Sequence, residues 1–417
     1  MKRNSFSLEF ILVLSFLLLL GSALTTPAQD NTAGNPTPPA DADDVREQMA
    51  VAKRLLPQVP DRGAVLYFLS TSEAHLGETR EALRLLKECL SLHEGFDPAG
   101  SPNLKALRGT PEFDDLVASV HREFPVVENA RLALTTVEKD LMPEGLAYDS
   151  QRNVFYMSSL NRRKIVQIAA NGKVSDFVPA DRDHLLDTLG IRMDPRNATV
   201  WANSLSESEG RGELLHFDSA GNLLGRFSIK NADRHGFNDL VVRKSGEVIL
   251  TDTESNRVYR FDPTTHKFAR LPIHRTLCEP NGIALADDDR QLFVADDFGV
   301  VRVDLESRVS ADINPGPRST LAGIDGLYWH NGALIAVQNG IGSPRVAAFR
   351  LSKGGTRVTE TTVLENRSAL MSLPTTGAIR GDDFYFILNS QADNFAADRA
   401  VDAQKLEAVR IGVLHLP

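Results

Sequence analysis

The chain has 417 residues, 42% of them hydrophobic, and a formal charge of -9 at pH 7. That length can bury a large core and favours more than one domain. The acidic balance, with no Lys/Arg run against it, excludes a nucleic-acid partner. Two cysteines, Cys89 and Cys278, fall in segments of different periodicity and imply no disulfide framework.

Lys2 and Arg3, the apolar run Phe10 to Leu20 and small residues through Ala28 have the layout of a secretory signal. The apolar run is short for a bilayer, so cleavage near Ala28 is expected, giving a periplasmic or secreted protein without a stable membrane span. An uncleaved anchor is the alternative, with Glu9 as the departure from the pattern. No cysteine follows to take a lipid. Residues 29–44, rich in Pro, Ala, Asn and Asp, read as a flexible linker.

Residues 45–125 read as helical. Ala50, Ala52, Leu55 and Leu56 form one apolar face, Val65 to Leu76 a second helix ending at Gly77, and Ala82, Leu83, Leu85, Leu86 and Leu90 a third. The stretch AHLGETREALRLLKECLSL resembles one tetratricopeptide hairpin. Stacked repeats need about three units to stand alone, so this piece is expected to dock on the following domain or on a protein partner.

From Val126 onward short strands take over. The units beginning PEGLAYD (Pro143), LGIRMD (Leu189), FNDLVV (Phe237), PNGIAL (Pro280), IDGLYW (Ile324) and TGAIR (Thr376) each pair an apolar strand with a turn and a second strand. The stretch Cys278 to Asp304 adds a third strand to the unit. Gly145, Gly190, Asp239, Gly282, Gly326 and Gly377 recur at steps of 43 to 51 residues. Six copies at that spacing define a mainly β architecture over 126–417, a six-bladed β-propeller. Ala130 to Val137 is expected to complete the last blade beside Ile411 to Leu416.

A propeller gathers the start of each inner strand around one axis. Those positions are Glu144, Leu189, Asn238, Asn281, Asp325 and Thr376. Two carboxylates and two amide carbonyls suit Ca²⁺ or another hard divalent ion, where Zn²⁺ would recruit His or Cys. Asn and Asp before Gly also simply make turns, but Glu144 is no turn residue. His235, near the expected mouth, is a candidate proton shuttle, with a structural histidine as the bland alternative. Ser158, Ser159, Asn203, Asp252, Asp296 and Asp297 close second strands and read as turn-finishing groups, and His330 as structural.

Glu144 in PEGLAYD, Asn238 in GFNDL, Asn281 in PNGIAL and Asp325 in IDGLYW together resemble the metal site of the senescence marker protein / gluconolactonase superfamily. That group includes regucalcin and is related to the paraoxonases and diisopropylfluorophosphatase. The resemblance covers about Pro143 to Pro417. It implies that Glu144, Asn281 and Asp325 bind Ca²⁺, that Asn238 joins them or faces substrate beside Asp239, and that the activity is metal-dependent lactone or ester hydrolysis. Asp325 would be a ligand only or the group accepting the water's proton. The paraoxonase histidine pair and the sugar-contacting residues of the lactonases have no equivalents, and the helical segment lies outside the resemblance. The alternative is a non-catalytic exported propeller that binds a ligand or protein around a structural Ca²⁺. The metal-free strictosidine-synthase-like branch has no need of four such oxygens.

Overall fold

In the computed structural model, which describes residues 39, 41–180, 182–396 and 399–417, the strand-rich part forms six four-stranded antiparallel sheets. The signal read at residues 1–28 lies outside the described residues. The first strands of the sheets are Pro143–Asp149, Asp187–Met193, Phe237–Val242, Ile283–Leu285, Ile324–His330 and Gly377–Arg380. They contact one another around a ring, which makes them the inner strands of six propeller blades.

Alternation along each strand sends side chains into the gaps on both sides of its blade. Each gap is therefore filled by its own apolar cluster. Tyr156, Phe177 and Phe217 lie between blades one and two, Trp201, Phe237 and Phe261 between two and three, and Phe155, Tyr385 and Ile411 between six and one. A buried aromatic or branched side chain of this kind stabilises by about 1.5–3 kcal/mol, so the ring is held by its six gaps together.

The last blade is closed by the first strand. Arg131–Thr135 pairs antiparallel with Arg410–His415, setting Arg131 opposite Val413 and Leu134 opposite Ile411. Several fourth strands, such as Lys267–Arg270 and Ser310–Asp312, are short and carry no fully buried residue, although Val358–Asn366 of blade five is nine residues long. The short ones lack the apolar alternation that marks the inner three, which is why three strands per blade are legible and the fourth is not.

Before the propeller stand α1 (Ala42–Leu55), α2 (Arg62–His75), α3 (Thr79–Leu90) and α4 (Pro111–Glu123), with two 3-10 turns at Pro98–Gly100 and Pro102–Leu107. Helix α1 thus starts inside the stretch read as linker. Helix α4 follows the usual end rules, with Pro111 in its first turn, Glu112 and Asp114 beside it, and His121 and Arg122 in its last turn. Helix α2 is buried on nearly every side, because the propeller covers the face that α1 and α3 leave open. Its apolar core is continuous with Phe298, Ala322 and Ile341 of the propeller, and the Phe68 ring meets Phe298 edge-on at 5.6 Å.

Polar contacts fix the same junction. Asp61 caps α2 by accepting from the Ala64 amide at 3.2 Å, and its other oxygen accepts from Thr320 Oγ1 and the Leu321 amide, both at 2.8 Å. The Asp97 amide donates to the Ile341 carbonyl at 2.9 Å. Cys89 and Cys278 are both free thiols. Among the described residues, no helix is long and apolar enough to cross a membrane.

Candidate functional site

The inner strands approach so closely at the axis that most can carry no side chain just inside their first residue. A Cβ on Gly145 would collide with the Leu189 carbonyl, and one on Gly282 with the Asp325 carbonyl. In blades one, two, four and five a side chain at the strand start is thus followed by a glycine wedged against the next blade, whereas Gly377 of blade six is wedged against Phe384 and Tyr385 of its own blade. Blade three is the exception, carrying Asp239 where the others have glycine.

Glu144, Asn238, Asn281 and Asp325 line one cavity of about 600 Å³. They come from blades one, three, four and five, and are 8%, 3%, 5% and 3% exposed. Asn339 Nδ2 donates to Asp325 Oδ2 at 2.6 Å and to the Pro374 carbonyl at 3.0 Å. Asn238 Nδ2 donates to Thr253 Oγ1 at 3.2 Å. Asp325 Oδ1 and Asn281 Oδ1 are enclosed and have no hydrogen-bond partner.

The electrostatics are unbalanced in one direction. Burial, then the Asp325 and Asp239 charges, push the Glu144 carboxyl well above its usual range. Burial likewise raises Asp325 to about 6, against the hydrogen bond from Asn339 that favours its charged form. The buried Glu144 and Asp325 carboxyls and the orphaned Asn281 Oδ1 are the groups that a hard divalent cation would satisfy. The residues present fit such an ion. Among the described residues no group of three or more His, Cys, Asp or Glu side chains could hold a metal, so the fit depends on the two asparagines.

Beneath the ring the channel is plugged. Arg192 of blade two donates to Asp239 Oδ2 at 2.8 Å, and its guanidinium lies 5.3 Å from the ring centre of Tyr328 in blade five. Blades two and five stand opposite each other in a ring of six, so this contact spans the axis. The absent Cβ of Gly190 leaves room for the Asp239 carboxylate. Burial raises the Asp239 carboxyl, with Arg192 opposing.

Two residues read as site candidates are thus elsewhere. Asp239 is committed to Arg192 in the plug and does not line the cavity. His235 is buried off the axis, with Nδ1 2.5 Å from Asp252 Oδ2 and Nε2 2.9 Å from Asn231 Oδ1. Both ring nitrogens are engaged by side chains, and His235 does not line the axial cavity. Ser158 Oγ donates to the Leu189 carbonyl at 2.6 Å, and Asn203 Nδ2 to the Asn238 carbonyl at 3.1 Å. Asp296 pairs with Arg275. These groups fasten strand ends, as their positions suggested.

Sequence reasoning missed Asn339, although it ends a second strand in the same way as Asn203. It also missed Glu279 and Asp297 as cavity residues, and the helical residues Tyr67, Phe68, Phe96, Lys105 and Arg108 that line the same cavity from the other side. No local pattern announces that last set.

No protein-family model and no curated protein sequence matches the chain. Solved structures do resemble it. The PQQ-bound aldose sugar dehydrogenase of Streptomyces coelicolor is 15% identical with a TM-score of 0.50, over 70% of this chain and 99% of that one. A gluconolactonase of Xanthomonas campestris is 17% identical with a TM-score of 0.49, over 70% and 91%. Virginiamycin B lyase of Staphylococcus aureus is 16% identical with a TM-score of 0.48, over 69% and 100%. At such identities the likeness bears on the fold alone. The class of protein defined here is a six-bladed β-propeller with an oxygen-lined axial cavity, roofed by a helical segment.

Proposed function

We propose that the chain is a hydrolase of the lactonase or esterase type, acting at the propeller axis with a divalent cation, Ca²⁺ by the character of its donors. The observation that carries this reading is the pair of buried, partnerless oxygens, Asn281 Oδ1 and Asp325 Oδ1, in one cavity with the Glu144 carboxylate. Glu144, Asn238, Asn281 and Asp325 would hold the ion, which when bound supplies positive charge for a polarised carbonyl and its developing oxyanion.

The chain's own groups do the rest. Asn339 fixes Asp325 Oδ2, which holds the carboxylate in one rotamer with Oδ1 left over. Without the ion, burial raises the Asp325 carboxyl to about 6, and a bound cation would favour its charged form. In this reading the ion takes Asp325 Oδ1, so Asp325 would act first as a ligand. Leu189 and Ile324, which also line the cavity, exclude bulk water from the reacting carbonyl. Export is part of this reading, on the layout of residues 1–28.

The test is hydrolysis of a panel of lactones and aryl esters by the mature protein, with chelator, with Ca²⁺ restored, and with Asp325→Ala. Activity lost with chelator and in the variant, and regained with the ion, supports the reading. Tight Ca²⁺ binding without turnover of any substrate sinks it in favour of a binding platform.

A further inference from the structure

The cavity above the ring is made mostly by the propeller, with one wall supplied by the helical segment. Its floor is acidic, with Glu144, Asp325, Glu279 and Asp297 among the lining groups, whereas Lys105 and Arg108, its basic lining residues, both come from the helical segment. Both cations are exposed, at the rim of the cavity, and neither has a carboxylate partner among the described residues, Arg108 using Nη2 on the Ala99 and Ser101 carbonyls at 3.1 and 3.0 Å.

Between floor and roof the walls are apolar. On one side stand Phe68 and Phe96, which belong to the core of the helical segment or pack against it. On the other stand Leu160 and Leu373, part of a separate apolar cluster on the propeller's upper loops. A cavity of about 600 Å³ lies within the range that encloses a drug-sized ligand, so it holds far more than a reacting carbonyl. The segment is fastened over it by Asp61, Asp97 and the shared core with Phe298 and Ile341.

We infer that the helical segment is the specificity wall of this site, and that its ligand has a carbonyl head, an apolar body and an anionic far end. The head sits at the axial ring, the body packs between Phe68 and Leu373, and the far end meets Lys105. The opposed charges of floor and roof orient such a molecule before any chemistry occurs. This rests on the hydrolase reading only for the identity of the head group.

The test is calorimetric binding of γ-lactams, which resist hydrolysis, to the mature protein. One series carries alkyl chains of rising length and a second carries the same chains ending in a carboxylate. Affinity should rise roughly threefold to fourfold per methylene, and the carboxylate series should bind more tightly. Phe68→Ala should flatten the dependence on length, and Lys105→Glu should reverse the preference for the carboxylate. Series that behave alike in wild type and variants overturn the inference. Length- and charge-dependent binding without turnover of any lactone or ester would keep the wall and remove the hydrolase reading, and turnover with flat series would do the opposite.

Discussion

Asn339 donates through Nδ2 to Asp325 Oδ2 at 2.6 Å, while the other oxygen of the same carboxylate has no partner. One residue thus sets which atom of its neighbour remains available. Partners of this kind typically change metal affinity by about 10–100-fold when removed. Asn339→Ala is expected to weaken Ca²⁺ binding by that factor. Calorimetric titration of Ca²⁺ into the variant checks this.

Glu144 bears the same logic with opposite consequences for stability. Its folded-state carboxyl is raised by burial and by Asp325 and Asp239, so in metal-free protein stability present at low pH is lost as pH rises through that value. Glu144→Gln has no such loss. In chelator at pH 8 it should unfold later than wild type, by about 1–3 kcal/mol, and gain less than wild type when Ca²⁺ is added. Thermal melts with and without the ion decide it.

Asp61 gives the junction between helical segment and propeller a pH signature of its own. Burial raises it from 3.8 to about 6, against hydrogen bonds from Thr320, Leu321 and Ala64. The raised acid stabilises most below its unfolded value, and the advantage falls as pH climbs toward 6. The stability difference between wild type and Asp61→Ala should therefore shrink by about 2 kcal/mol between pH 4 and pH 7. Denaturant titrations at the two pH values would show a constant difference if Asp61 were ionised throughout.

Ring closure should appear as a global cost at one position. Ile411 is fully buried in the gap between blades six and one and pairs with Leu134 of the closing strand. Ile411→Ala is expected to cost about 2–4 kcal/mol, lowering a single cooperative unfolding transition. A variant that melts the last blade alone and spares the others would contradict a ring held by all its gaps.

The six blades were legible because the strand starts repeat, and the same repeat picked out Glu144, Asn238, Asn281 and Asp325 as residues of one axial cavity. Asp239 was misread for a physical reason. It occupies a glycine position, and only the geometry of opposed blades reveals that Arg192 crosses to Tyr328 beside it. His235 looked near the mouth in sequence, but Asp252 at the far end of the paired strand holds it off the axis. The helical segment was expected to dock on the propeller or on a partner. That Phe68 and Lys105 would face the axial cavity depends on contacts across more than two hundred residues, which no local periodicity encodes.

The crossing of Arg192 to Tyr328 also bears on traffic. With Arg192 meeting Tyr328 across the axis below the ring, the substrate and product of the proposed hydrolase would both pass between the helical roof and the upper loops. Departing acid would have to back out past Phe68 and Lys105 before the next molecule could arrive. A product that keeps an anionic tail would linger there and compete with its own precursor, so turnover at high conversion would be governed by departure rather than by bond cleavage.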